Sequence, residues 1–116
     1  MWFSSMLRLI CLVEGEGAVA EEKSVVVFKA AGPHEAKAQI INLCRDREER
    51  YLNVDGKRVR WTVREIQTID WLEEGADLGE SREVYSAIDQ LPEADPSIPV
   101  DIEYRLEDAE PRQSGV

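Results

Sequence analysis

The chain is short of the residues on which much recognisable chemistry depends. It has one histidine and two cysteines in 116 residues. Any Ser/His/Asp or Cys/His mechanism would have to use His34. His34 falls at the start of an expected helix, and Cys44 lies ten residues on, about 15 Å along the axis. Cys11, Cys44 and His34 lack the paired spacing of a zinc site. Two cysteines define no disulfide framework, and each occupies an apolar-face position, the place of a small buried hydrophobe. Gly15 and Gly17 are followed by neither Lys-Ser/Thr nor a prompt helix, so there is no phosphate loop. No apolar run nears the roughly 20 residues that span a bilayer. On these grounds no catalytic residue, cofactor, metal or membrane partner is expected.

Positive charge is also scarce, but only in one part of the chain. Residues 1–72 hold 11 basic and 11 acidic side chains, whereas residues 73–116 hold 3 and 13. The net charge of -10 therefore resides wholly in the last third. Such a balance argues against a chain built to bind phosphates. The acidic run Glu73, Glu74, Asp77, Glu80 and Glu83 lacks the spaced oxygens of an EF-hand and reads as a solvated loop.

What is present is alternation. In the opening stretch "MWFSSMLRLICLVEGEGAVAEE", Leu7, Leu9, Cys11 and Val13 share one face, and Met6, Ile10 and Leu12 share the other with Arg8. A secretory signal would need early positive charge and an unbroken apolar core. Arg8, Glu14 and Glu16 spoil that pattern, so a strand buried on both faces and a cytoplasmic chain with free thiols are expected. Ala18-Val19-Ala20 then falls in a long loop. Ser24–Ala31 reads as a second strand. Pro33 opens a helix, with Glu35 in its first turn and Ala36, Ile40, Leu43 and Cys44 in an apolar stripe. The helix is expected to fray near Arg50.

Asp55-Gly56 between alternating flanks signals a hairpin, Tyr51–Val54 with Arg58–Asp70. Its alternation slips between Val63 and Ile66, where a bulge near Arg64-Glu65 would restore the face. Val84–Ile88 is a further strand, ended by Leu91-Pro92. "VDIEYRL" at 100–106 sets Val100, Ile102, Tyr104 and Leu106 against Asp101, Glu103 and Arg105. This leaves room for an extra C-terminal edge strand. The last ten residues look disordered.

The expected fold is α+β, in the order β-β-α-β-β-β. An antiparallel sheet of about five strands carries one helix packed on one face. Residues 1–90 make a single α+β domain, and 91–116 an acidic, Pro-containing C-terminal extension. The second sheet face needs a cover, either this tail or a second copy.

As an ordered set, "MWFS", "VVVF", "PHEAKAQI", "VDGKRVRWTVREI" and "EVYSAI" resemble a family of short bacterial proteins known only as a domain of unknown function. The resemblance spans about residues 1–90 and implies no activity, cofactor or catalytic residue.

Function is then read from surface chemistry. The leading expectation is a non-enzymatic protein-interaction module, inhibitor- or immunity-like or self-associating, that binds a protein partner or forms a homo-oligomer. The alternative is contact with single-stranded nucleic acid through the basic 45–64 hairpin region, where Arg58, Arg60 and Arg64 surround Trp61. The third reading is an enzyme of unknown type. The candidate interaction residues are Arg58, Arg60, Trp61, Arg64 and Tyr104.

Overall fold

A computed structural model describes residues 1–72 and 82–113. The fold is α+β. One helix, α1 (Pro33–Asp46), lies against a sheet of β1 (Trp2–Val13), β2 (Gly17–Lys29), β3 (Glu49–Leu52), β4 (Arg58–Trp71), β5 (Arg82–Asp95) and β6 (Pro111–Gln113). The strand order is β3-β4-β1-β2-β5, and β6 adds to β4. All pairings are antiparallel except β4 with β6. The expected acidic loop over 73–83 lies largely outside the described residues.

The helix begins where the sequence places it. Pro33 occupies its first turn, Gly32 is the N-cap, and the Glu35 carboxylate accepts the Ala31 N–H at 3.0 Å. Its stripe Ala36, Ile40 and Cys44 packs on Phe3, Leu7 and Leu9 of β1, Val26 and Phe28 of β2, and Val63, Ile66 and Ile69 of β4. Each is at most 9 % exposed, which makes this face the main core. The helix stops at Asp46, earlier than the expected fraying near Arg50.

The parity slip in β4 has the expected physical cause. Arg64 drops out of register between the pairs Arg8–Glu65 and Leu9–Val63. Gln67 drops out in the same way between Met6–Thr68 and Leu7–Ile66. The two extra residues keep Val63, Ile66 and Ile69 on the helix face despite their uneven spacing.

Three expectations are corrected. The long mobile loop after β1 is a tight turn over Glu14–Glu16, and Ala18-Val19-Ala20 belongs to β2. Gly15 and Gly17, at φ +80° and +78°, supply left-handed backbone that lets the chain reverse so soon. Next, β5 runs on through Leu91-Pro92 to Asp95, so the boundary placed at residue 90 falls inside a strand. Pro92 is tolerated because residues 91–94 bulge between the pairs Ala20–Gln90 and Ala18–Asp95, where no ladder N–H is required. Finally, residues 100–106 are not a strand. An edge strand does follow, but it is β6, in a stretch expected to be disordered.

What residues 98–113 do instead answers the question of the second face. Val100 packs with Ile10, Leu12 and Ala18, joined by Leu91, Ile98, Ile102 and Tyr104. Leu106 and Ala109 join the helix-side core. The segment is therefore a strap. It lies across the face opposite the helix, passes around the outer edge of β4 between β3 and β6, and ends as β6. The strap covers this face at its Ile10–Leu12 end. Met6, 37 % exposed, and Arg8 remain open beyond it, which corrects the expectation of a strand buried on both faces throughout. There Arg8 pairs with Glu21 at 2.7 Å and Glu65 at 3.5 Å, so that half of the face is a solvated charge network.

The start of β2 and the end of β5 meet backbone to backbone. A Cβ at Gly17 would stand 1.8 Å from the Asp95 carbonyl oxygen. Gly17→Ala should therefore cost at least about 2 kcal/mol, combining this clash with a left-handed φ. Gly15→Ala, with open space around it, should cost about 1 kcal/mol. Urea midpoints at unchanged m-value measure both, and equal losses would refute the close-approach argument.

Candidate functional site

The candidate site is organised by a charge that the sequence disguises. Arg58, Arg60 and Thr62 alternate with Val59, Trp61 and Val63 along β4, a pattern that reads as polar-out. Yet Arg60 is only 3 % exposed, because the strap lies over it. A buried guanidinium must have its donors satisfied and its charge balanced. Its Nε donates to the Glu48 carboxylate at 2.5 Å, one Nη donates to the Val100 carbonyl at 3.0 Å and to the Ile102 carbonyl, and the other reaches Thr62 Oγ1 at 3.4 Å. Two backbone carbonyls that a strand ladder would have used are thus taken by a side chain. This is the physical reason that 100–106 alternates in and out without being a strand. Only the planar fork of arginine reaches a carboxylate and two carbonyls together.

Glu48 sits just past the end of α1 and also accepts Arg50 Nη at 3.0 Å. Burial pushes its carboxyl up, but the guanidiniums of Arg60 and Arg50 outweigh that and hold it below the ordinary glutamate range. The strap is fastened further along by Asp101 to Arg58 at 3.2 Å, Glu110 to Lys37 at 2.7 Å and Arg112 to Asp70 at 2.7 Å. In the first two pairs an acidic residue of the tail lies on a basic residue of the body, and in the third the signs are reversed.

The structure does not bring the five candidate interaction residues into one patch. Arg58 and Arg60 belong to the strap face, with Arg58 exposed and Arg60 buried. Trp61 points to the opposite face, half-buried on Cys11, Val13, Ala20 and Val59. Arg64 is the bulge residue and stands 3.8 Å from Glu21. Tyr104 is on the strap, its hydroxyl buried without a partner. Arg60 is corrected from a surface contact to a structural anchor. No sequence signal marked Glu48 as its counter-ion.

Two concave features flank the anchor. One is a groove of about 240 Å³ beside β3, lined by Tyr51, Leu52, Val59 and Val100 with Arg50 and Arg58 at its rim. The other is a cavity of about 260 Å³ under the strap, between the last turns of α1 and the outer edge of β4. Ile41, Cys44, Val63 and Leu106 give its walls apolar surface; Thr62 and Tyr104 bring hydroxyls; Arg45, Glu103 and Glu107 bring charge. Burial pushes the Cys44 thiol up to about 12, so it stays protonated at neutral pH and is no nucleophile. His34 is exposed at the far end of the helix. Among the described residues no cluster of three His, Cys, Asp or Glu side chains could hold a metal. No helix there is long and apolar enough to cross a membrane.

Comparison with protein-family models, curated proteins and solved structures finds no match.

The anchor makes two linked predictions. Arg60→Ala leaves two carbonyls unpaired and Glu48 held by Arg50 alone, and should cost about 3 kcal/mol while speeding hydrogen exchange at the Ile102 amide, which donates to the Pro99 carbonyl at 3.1 Å, more than at the amides of β1. Because the folded Glu48 carboxyl lies below its unfolded value, its contribution is complete above the ordinary glutamate pKa, about 4.3. It is lost as pH falls through the lower, folded value. Glu48→Gln should therefore destabilise at pH 7 and become progressively less harmful in acid. A pH-independent loss would refute the assignment.

Proposed function

We propose that this chain is a protein-interaction module that receives an extended apolar segment on the outer edge of β3. The observation that carries this reading is a cluster of exposed apolar side chains on an edge strand. Tyr51 is 49 % exposed, Leu52 67 % and the following Val54 fully exposed, beside the groove just described. Among the described residues β3 pairs only with β4, so its outer N–H and C=O groups are unclaimed. The opposite edge, β5, is blunted by its bulge, by Pro92 and by Asp89 and Glu93. An added strand would hydrogen-bond to β3 and set alternate side chains against Tyr51 and Leu52. A second copy of the chain, pairing β3 to β3, is the simplest such segment. The family that the sequence resembles contributes no activity to this reading.

The nucleic-acid alternative is weakened by the same geometry. Arg47, Arg50, Lys57, Arg58, Arg60 and Arg64 each have a carboxylate within ion-pair distance. A cation already neutralised releases few counterions from a phosphate backbone. Burial of Arg60 removes the centre of the basic region.

Leu52→Lys tests the proposal, since edge lysines oppose strand addition and an exposed site tolerates the change. In sedimentation velocity the wild type should self-associate as concentration rises, or bind extended apolar peptides selected from a displayed library. The variant should do neither while melting at the same temperature. A wild type that stays monomeric and selects no peptide shifting the amides of residues 49–54 would end the reading.

A further inference from the structure

The backbone of β3 allows few ways of adding a strand to it. The Asn53 N–H donates to the Lys57 carbonyl at 2.9 Å, so Asn53 and Lys57 form a hydrogen-bonded pair. Alternation then makes Tyr51–Val59 and Glu49–Trp61 hydrogen-bonded pairs as well, and Arg50–Arg60 and Leu52–Arg58 open ones. The Arg58 carbonyl agrees, since it accepts the Glu14 N–H on the side away from β3. The N–H and C=O groups of Arg50 and Leu52 therefore point outward from the sheet. To either side the chain is already committed. The Glu48 N–H donates to the Arg45 carbonyl at 3.3 Å, and beyond Asn53 the chain turns, the Gly56 N–H donating back to the Asn53 carbonyl at 3.0 Å.

We infer that β3 pairs with β3 of a second copy of this chain, antiparallel across a two-fold axis that sets Tyr51 opposite Tyr51. The inference rests on the β3 reading above and fixes its occupant and register. Outward residues must meet outward residues, which leaves registers centred on residue 50, 51 or 52. Centring on Arg50 sets two like charges directly opposite and brings Leu52 to Glu48, whose N–H is taken. Centring on Leu52 sends Arg50 to Val54, inside the turn, and faces Glu49 with Asp55. Centring on Tyr51 pairs Arg50 with Leu52 twice over, each pair exchanging both backbone hydrogen bonds. Glu49 then faces the uncharged Asn53. Side chains fit the same register. The half-exposed Tyr51, on the face of Val59, meets its own copy at the axis. On the other face Leu52 lies between Arg58 of its own chain and Arg50 of the second copy. That Arg50 comes over Leu52 toward Asp101, whose exposed carboxylate rims the same groove. One patch thus carries both signs and complements itself, as a two-fold contact requires. An apolar segment of another protein would use the backbone but not this charge pair.

The test places a cysteine at Arg50, Tyr51 or Leu52, one at a time, and oxidises each intact chain with oxidised glutathione. Cys11 and Cys44 are buried, so the wild type is the unlinked control. Across the axis the two Tyr51 positions stand about 4.5 Å apart, Cα to Cα, within disulfide reach. The two Arg50 positions, like the two Leu52 positions, are out of step by two residues, about 8 Å apart and beyond reach. Tyr51→Cys should therefore form covalent dimers at least about tenfold faster than Arg50→Cys or Leu52→Cys. The contact is small, so the wild-type dimer should be weak, with a dissociation constant of about 100 μM by sedimentation. Arg50→Ala and Asp101→Ala should each weaken it about threefold, and the double variant no further, because both remove one contact. Fastest linking at residue 50 or 52, or additive losses, would overturn the register. A wild type that binds peptides at residues 49–54 yet stays monomeric would overturn the second copy. Each of these results leaves the β3 edge reading standing; that reading fails only when neither dimer nor peptide is found.

Discussion

A single guanidinium, buried in the sheet face, sets the terms for the C-terminal third of this protein. Arg60 could not stay under the strap without Glu48, and the strap could not lie flat on the sheet without Arg60. A buried ion pair is weak evidence for net stability, since apolar residues of equal volume often do as well. It is better evidence for specificity. Apolar contacts among Val100, Ile102, Ile10 and Leu12 would accept the strap in several registers, as hydrophobic burial has no direction. The carbonyls of Val100 and Ile102 meet one arginine in only one register.

This pinning explains why the two sheet faces differ. The helix face is covered by a regular element whose stripe is readable residue by residue. Over Ile10, Leu12 and Ala18 the opposite face is covered by a segment with no strand or helix of its own, held where the anchor reaches. Past Ile10, around Met6 and Arg8, the face opens to solvent, and the residues change character to match. Arg8, Glu21, Lys23 and Glu65 replace the aliphatics, and Arg8 pairs with both Glu21 and Glu65. The boundary between the strap-covered end and this solvated stretch thus lies within single strands, at about the Arg8–Ile10 step of β1.

The same division marks what the sequence could reveal. Elements whose alternation coincides with ladder pairing were legible: β1, β2, the hairpin of β3 and β4, and the helix stripe. The slip from Val63 to Ile66 was legible as a bulge because a second apolar residue had to regain the core. The strap was misread for a physical reason. Alternation at Val100, Ile102, Tyr104 and Leu106 reports which side chains face inward, and a chain lying on a sheet alternates as well as one hydrogen-bonded at its edge. Arg60 was opaque on the same principle. Beside Arg58 it looks like one more outward charge, and only the tail, 40 residues on, turns its surroundings apolar. Glu48 was invisible because it follows the helix, where charge is ordinary. The short β1–β2 turn was missed because two left-handed glycines compress a reversal that its polar composition suggested was long.

The anchor also governs how the two candidate surfaces relate. Val100 and Asp101 wall the groove beside β3, whereas Glu103 and Tyr104 wall the cavity beside α1. Between them lies Ile102, whose carbonyl Arg60 holds. A ligand that shifted the strap on one side would have to break a charge-assisted bond in a buried setting before the shift could reach the other side. The strap is therefore a divider rather than a lever. It gives each surface a wall from the same short segment, while the fixed carbonyls keep the two walls mechanically separate. Coupling between the sites would require Arg60 to let go of the Ile102 carbonyl, which leaves a buried guanidinium short of an acceptor. That cost is why the groove beside β3 and the cavity beside α1 are expected to respond independently, although only two residues of strap separate Asp101 from Tyr104.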